Sequence, residues 1–526
     1  MTPHRLALFQ PDLNPAPAWV DDLITAGWEV RLCRWTRDIE AFAPTLVIAA
    51  DAALGKRTGH PWVGWVREEP ARLRTDRRRL DTVLSHDGFL VESGDQARFL
   101  TDSLSPTERS AQYLSIDDLT PAALARLADS IRASAGFAPA PADDAGPTID
   151  YIVRVGGRDI RFVRRCLDSL AAQTVPGVGA ILVRHGPVAG LEELMAACRP
   201  HLRRLSLLDV AGPTTRSACL WAGLAAVEAD LFGMLDDDDA LHPNHVASLA
   251  PMALAGSVAI AGSVQVWDDA GGPFPPTDPR AEHRAFHLLP PADRAGLFGW
   301  QVVVHSSAFL APSSLLPMVG PDPALDFAED SFLIRRLARA APLAASWRVS
   351  TDFHWRQGQA DNTAFRPEGR QEAMARIADR ERLDPVITEW RSRTVEEMLA
   401  PPPAWGQPAD SPDLPRLADA AAFHALPGER PLYIYGAGRG GRIVLGEVTK
   451  HPHLTVTGIL DSRTQGTAFG LPLLRPADVP PDHLGKAIFI IASEHLTAMT
   501  ETLRSLGAVH IHDATPHIRL YTALPG

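Results

Sequence analysis

The feature that most constrains this chain is the run LFGML followed at once by Asp236, Asp237, Asp238 and Asp239. Five apolar residues without a polar interruption read as a strand buried on both faces, as in a parallel α/β sheet. Four adjacent carboxylates repel one another, and each raises the pKa of the next unless a cation neutralises them. In an extended chain alternate side chains share a face, so Asp236 and Asp238 are expected to point toward one ion. Hard oxygen ligands favour Mg2+ or Mn2+, with coordination positions left for a substrate's phosphates. The competing reading is an acidic surface turn or a helix cap. His242 and His245 follow closely, but imidazole suits softer metals, and a solvated helix face is the expectation for both.

The flanking sequence supplies a sheet for this strand. IDYIVRV and AILVR read as strands, and Ile160, Val163, Leu167 and Leu170 recur at helical spacing between them. A later helix carries Leu220, Leu224 and Val227 on one face and leads into the apolar strand. Carboxylates at the C-terminal edge of such strands lie where open α/β sheets place their ligands. Further on, Glu329 and Asp330 open a helix whose buried stripe is Leu333, Leu337 and Ala341. The helix dipole favours the Asp330 anion while Glu329 pushes its pKa up, so the residue serves either as a general base or as a cap. In DFHWRQGQADNT, Arg356 can clamp a diphosphate and His354 can reach a metal; a polar loop with buried aromatics is the alternative.

A chain of 526 residues exceeds one core and suggests about three domains. Two Ala/Pro-rich stretches, from Ala133 to Thr148 and from Ala400 to Pro415, read as linkers. The expected domains are an N-terminal α/β, Rossmann-like domain over 1–135, a central domain over 148–399 and a C-terminal Rossmann-like domain over 416–526. The formal charge of -12 argues against a general nucleic-acid binder. No stretch approaches the roughly 20 apolar residues of a membrane span, and MTPHRLALFQ lacks a signal-peptide core. A cytoplasmic protein, at most peripheral to the inner face of a membrane, is the expectation. The four cysteines show no CxxC spacing and fit buried, reduced thiols. Arg72, Arg74, Arg77, Arg78 and Arg79 read as a solvated basic face.

In order and spacing, RRCLDSLAAQT, AGLAAVEADLFGMLDDDDALHP, FAED and WRQG resemble the family 2 glycosyltransferases, over roughly Thr148 to Asn362. The resemblance implies a GT-A nucleotide-diphospho-sugar transferase fold, flanked here by two Rossmann-like α/β domains. It implies a nucleotide-sugar donor, transfer with inversion, and a glycan, lipid-linked or protein acceptor. Asp236 and Asp238 correspond to the family's metal-binding aspartates, with Asp239 nearby and His354 as a further ligand. Asp330 corresponds to the general base, supported by Glu329. Arg216, Asp236, Asp237 and Arg356 fall on the donor side, and Trp300 and Gln301, within GWQVVVHSSAFLAP, on the acceptor side. Two departures leave the nucleotide open among uridine, guanine and deoxythymidine. Arg184, His185 and Gly186 replace the acidic pair common after the second strand, and Trp221 replaces a common Asn.

Gly436, Gly438 and Gly441 form GxGxxG between LYIY and a helix, and Asp461 follows at the end of the next strand. That is a dinucleotide-fold layout, with the glycines beside a phosphate and the carboxylate at ribose hydroxyls. The unit is also similar to the nucleotide-sugar-binding domain of bacterial sugar O-acyltransferases, which implies a second nucleotide or nucleotide sugar. The rival functional reading places the activity there, as a nucleotide-sugar-binding or NAD-linked sugar-modifying protein with a non-catalytic middle domain.

Overall fold

A computed structural model of the chain describes residues 4–10, 16–75, 77–104, 111–137, 146–157, 159–210, 215–268, 283–287, 297–298, 304–320, 325, 327–356, 367–390, 414–462, 464–493 and 496–518. Two compact units result. Met1–Pro70, Arg78–Arg294 and Val303–Glu381 build the first, and Ala71–Arg77, Ala295–Val302 and Arg382–Gly526 the second.

The first unit holds two sheets. Strands β1 (Arg5–Phe9), β2 (Glu29–Cys33), β3 (Leu46–Ala49), β4 (Trp62–Val66), β5 (Gly88–Val91) and β6 (Tyr113–Ser115) run parallel in the order β2-β1-β3-β4-β5-β6. Leu6 to Phe9 and Leu46 to Ala49 are fully buried, which is why these strands read as unbroken apolar runs.

The second sheet comprises β7 (Ile149–Val155), β8 (Val178–Arg184), β9 (Leu205–Asp209), β10 (Leu231–Asp236), β11 (Ala240–Leu241), β12 (Val258–Asp268), β13 (His283–His287), β14 (Phe309–Pro312) and β15 (Leu343–Arg356). Its order is β11-β15-β12-β14-β10-β7-β8-β9, with β13 paired to β12. β10, β7, β8 and β9 run parallel, and β14 is antiparallel to β10. In the helix Ile160–Ala171 the residues Val163, Cys166, Leu167 and Leu170 are buried, and Ile160 packs at the margin of the same core. The helix Arg216–Ala225 buries Leu220 and Leu224 but ends before Val227, which is therefore not part of its stripe. In the helix Glu329–Ala340, Leu333 and Leu337 are buried, and Ala341 is the buried residue after its end.

Two expectations need correction. The loop alternative does not hold for the first five residues of the segment containing His354: 352–356 form the end of β15, which pairs in parallel with β12 from Val258 and Leu343 to Asp268 and Arg356, while 357–363 lie outside the described residues. The stretch after Ala133 does not begin as a free linker either. Ala133 and Ser134 complete the helix Pro121–Ser134. The Ala135 carbonyl then accepts from Asn244 Nδ2 at 2.7 Å, the Gly136 carbonyl from Thr174 Oγ1 at 2.8 Å, and Phe137 is buried under the Lys56 ammonium. The remainder, 138–145, and all but the last two residues of the second linker, 400–413, lie outside the described residues.

The second unit carries β16 (Leu432–Tyr435), β17 (Val456–Leu460), β18 (Gly466–Ala468), β19 (Leu471–Leu474), β20 (Ile488–Ile491) and β21 (His510–Asp513), in the order β18-β19-β17-β16-β20-β21. All neighbours are parallel except β18 with β19. The architecture is mixed α/β throughout, as expected of a GT-A core with flanking α/β domains. All four cysteines are free and buried, and burial pushes the Cys33 thiol up to about 11. No described helix is long and apolar enough to cross a membrane.

Close packing of the helix Arg216–Ala225 on the sheet depends on Gly223, where an added Cβ would lie 2.5 Å from Ile152 Cγ2 and 3.0 Å from Val183 Cγ2. Both neighbours are β-branched and stiff at χ1, so neither can swing aside. Gly223→Ala should destabilise the protein by roughly 1–3 kcal/mol in denaturant unfolding. It should also displace Arg216 at the head of the same helix.

Candidate functional site

The parallel register of β7 and β10 sets Arg154 directly beside Asp236 at the C-terminal edge of the sheet. Arg154 is only 5% exposed. Its Nη2 donates to Asp236 Oδ1 at 2.5 Å, and its Nη1 donates to Oε1 of Glu329, the first residue of the helix Glu329–Ala340. Arg216, the first residue of its own helix, approaches from the other side. Its Nε donates to the same Glu329 oxygen at 3.0 Å, and its Nη2 lies 3.9 Å from Asp236 Oδ2. Ser306 Oγ adds a long contact to Asp236 Oδ2 at 3.4 Å. Two guanidinium groups and two carboxylates thus join two strands and two helices.

This network fixes the charge states around Asp330. Burial alone would push Arg154 down, but Asp236, Glu329 and Asp330 outweigh it and hold the guanidinium firmly protonated. Burial likewise pushes Glu329 up, and Arg154 and Arg216 reverse that, leaving its carboxyl below the usual range. Asp330, half-buried, goes the other way. Burial raises its pKa first and the Glu329 charge adds to it, with the arginines offsetting only part. Its Oδ1 accepts from the Ser331 amide at 2.6 Å. Ala328, just before this pair, holds φ at +56°, a left-handed conformation that a non-glycine residue adopts at a cost of roughly 1 kcal/mol. Neither Arg154 nor this strained alanine was foreseen. The only signal was an arginine inside the otherwise apolar run IDYIVRV, since a guanidinium in a buried strand requires partners.

Beyond Asp236 the chain turns. The Asp239 amide donates to the Asp236 carbonyl at 3.0 Å, so the extended geometry that would set Asp236 and Asp238 on one face does not continue. Asp237, Asp238 and Asp239 are all buried in this turn. Arg165 donates to the Asp238 carbonyl, and Asp239 Oδ1 accepts from the His354 backbone amide at 2.9 Å. Asp239 Oδ2 is buried without a hydrogen-bond partner. Burial, then Asp238 and Asp236, drive the Asp239 carboxyl far above the usual range. A hard cation would relieve this, and Mg2+ is commonly held by one or two carboxylates with a substrate diphosphate completing the shell. The turn fits that pattern through Asp238 and Asp239, while Asp236 is engaged by Arg154. Among the described residues no group of three or more His, Cys, Asp or Glu is arranged to hold a metal by itself. The backbone amide of His354 is the group that meets Asp239.

The remaining candidates divide. Trp300 and Gln301 lie outside the described residues, as does Gly299. His305 stacks on Phe353 with ring centroids 4.4 Å apart. Arg356 closes β15. His242 and His245 are not on a solvated face: both are buried, His242 Nε2 sits 3.1 Å from Asp352 Oδ1, and His245 Nδ1 sits 2.8 Å from Ser350 Oγ. Burial, with His242 adding, brings His245 down to about 3, so it is neutral. Arg184, where an acidic pair is common, forms ion pairs with Asp209 at 2.6 Å and Glu192 at 3.0 Å.

In the second unit the glycines differ in what they permit. A Cβ on Gly441 would lie 1.9 Å from the Gly436 carbonyl oxygen, and one on Gly436 would lie 2.8 Å from the Ala492 carbonyl oxygen. At Gly438 nothing lies within 4 Å. Asp461 Oδ1 accepts from the Thr464 amide at 3.0 Å, closing the turn after β17.

Comparison with known proteins bears on the central sheet. Residues 158–310 match the family model Glycosyl transferase family 2. The match includes the aspartate turn and ends before Glu329 and Asp330, and it does not extend to the C-terminal unit. No curated protein matches the chain. Among solved structures, S. aureus TarS aligns at 15% identity over 47% of this chain and 42% of TarS, with a TM-score of 0.34. Its fragment 1–349 with UDP-GlcNAc aligns at 15% over 47% and 73%, TM-score 0.35, and the same fragment with UDP at 16% over 54% and 82%, TM-score 0.34. The chain thus spans about two fifths of full-length TarS.

The raised Asp330 predicts a stabilising substitution. A carboxyl whose folded pKa exceeds its unfolded value costs stability while ionised, and that cost disappears as pH falls and the group takes up a proton. Asp330→Asn should therefore melt higher than the parent at about pH 7.5, with the gain shrinking toward about pH 4. A pH-independent difference would contradict this electrostatic account.

Proposed function

We propose that the central domain is an inverting transferase that moves a sugar from a nucleoside-diphosphate donor to a hydroxyl acceptor, with Asp330 as the base. The observation that carries this reading is the half-buried Asp330, its pKa raised, tied through Glu329 and the two arginines to the end of the strand that bears the aspartate turn. A base poised above the ordinary carboxylate range accepts a proton more readily at the moment of attack while remaining ionised near neutrality.

In this reaction the acceptor oxygen forms a bond to the anomeric carbon on the face opposite the leaving group. The bond from that carbon to the diphosphate oxygen breaks, and the acceptor's proton passes to Asp330 Oδ2. The nucleoside diphosphate departs with the bonding electron pair. Arg216, about one third exposed, is the arginine of the network that retains access to solvent, and it contributes positive charge on the donor side. Asp238 and Asp239 would hold a divalent ion, which when bound neutralises charge developing on the diphosphate. Asp236, Asp237 and Arg356 complete the donor side of this proposal, Asp236 and His354 the surroundings of the ion, and Trp300 and Gln301 the acceptor side. The proposed domains remain 1–135, 148–399 and 416–526.

Gly438 supports a second ligand site. It is the glycine of GxGxxG with open space where its side chain would be, whereas a side chain at Gly441 would meet the Gly436 carbonyl. A nucleotide or nucleotide sugar at this loop would act beside the transferase.

Thermal-shift titration of the full chain with UDP, GDP and dTDP, with and without Mn2+, separates these sites. The donor site predicts stabilisation that requires Mn2+ and is lost in Asp238→Ala. A shift that survives Asp238→Ala but is lost in Gly438→Ala would move the nucleotide site to the C-terminal unit and overturn the central reading.

A further inference from the structure

Arg154 and Arg216 both reach the aspartate-bearing strand and the helix of the base, but Arg154 is the buried one of the two and hydrogen-bonds both carboxylates. It is 5% exposed, and the carboxylate it meets on the helix side, Glu329, is 1% exposed. Their contacts are directed: one guanidinium nitrogen goes to Asp236 and the other to Glu329, as a planar fork allows and an ammonium does not. Removing a guanidinium from water is expensive unless its charge is met at close range, and without it Glu329 and Asp236 would keep only the partly exposed Arg216, at 3.0 and 3.9 Å. The register fixes Arg154 beside Asp236, 82 residues away in sequence, while Glu329 is 175 residues away. A rigid tie between these elements has a direct consequence for Asp330, since it follows Glu329 in the first turn of the same helix.

We propose that Arg154 is a positioning residue for the transfer reaction: by bridging Asp236 and Glu329 it sets the distance from the aspartate turn to the Asp330 base. Glu329, by the same geometry, is the arm through which that tie acts and has no contact with substrate. The inference rests on the transferase reading above. Misplacement of a reacting group by about 1 Å costs on the order of 100-fold in rate. A positioning role therefore appears in kcat, with KM for the donor largely retained.

The test uses the full chain with Mn2+ and follows nucleoside-diphosphate release from a panel of UDP-, GDP- and dTDP-hexoses, beside thermal melts. The variants are Arg154→Met, Arg154→Lys, and Arg154→Met combined with Asp236→Asn and Glu329→Gln. Arg154→Met should melt several degrees lower and lose on the order of 100-fold in kcat. Arg154→Lys keeps the charge without the fork and should recover most of the melting temperature but only part of kcat. The triple variant removes the uncompensated charges, so its melting temperature should return toward the parent while kcat stays low. If kcat returns together with the melting temperature in the triple variant, or KM alone changes in Arg154→Lys, Arg154 is a packing residue and the proposal fails. Should the parent release no nucleoside diphosphate from any sugar in the panel, the transferase reading falls and the positioning role with it. The bridge itself would still be judged by the melts, and an Arg154→Met variant as stable as the parent would refute it.

Discussion

A buried guanidinium is tolerable only where carboxylates surround it, and that requirement organises the edge of the central sheet. Arg154 stands in a strand whose other residues are apolar or closed off from solvent, so its charge must be met locally or the strand would not bury. Asp236 meets it from the neighbouring strand and Glu329 from a helix that begins 93 residues later in the chain, as 329 minus 236 gives. The helix can approach only with its N-terminal turn first, which presents Asp330 at the sheet's C-terminal edge. Arg216 then binds the same carboxylate pair from a second helix head, where its charge is not at a dipole optimum and depends on Glu329 and Asp236.

The four aspartates consequently do different work. Read along the sequence they form one acidic run, and their repulsion asks for one remedy. In space the repulsion is met twice. Asp236 is answered by a fixed internal cation, whereas Asp239 meets a backbone amide on one oxygen and no hydrogen-bond partner on the other. The turn at Asp236 is what separates them, because a continued strand would have aimed Asp236 and Asp238 at the same neighbour.

What could be read from sequence follows the range of the forces involved. The apolar runs of β1, β3, β7 and β10 and the stripes Val163, Leu167, Leu170 and Leu333, Leu337 are local patterns, and burial follows them. The candidate residues Asp236 and Glu329 were also legible as types, because one stands at the end of an apolar strand and the other at the head of an amphipathic helix, both local patterns. Their shared partner was not, since a register between β7 and β10 pairs residues 82 apart and no local pattern encodes it. His242 and His245 show the same limit. They look like polar residues at a helix start, and only the passage of β15 beside them supplies Ser350 and Asp352 and makes their burial possible. The strand placement of His354 was hidden for the same reason, because the end of β15 is held by its pairing with β12 and not by its own composition.

β15 also explains why the first sheet and the central sheet belong to one compact unit. Near its start, Arg348 donates to the Ser134 carbonyl at 2.8 Å, at the end of the helix that leaves the first sheet. Burial pushes this guanidinium down, and the Asp87 carboxylate, which also accepts from Lys56, pulls it back up. Six residues further along the same strand, 354 minus 348, the His354 amide meets Asp239. One strand thus carries both a contact to the first sheet's last helix and a contact to the aspartate turn.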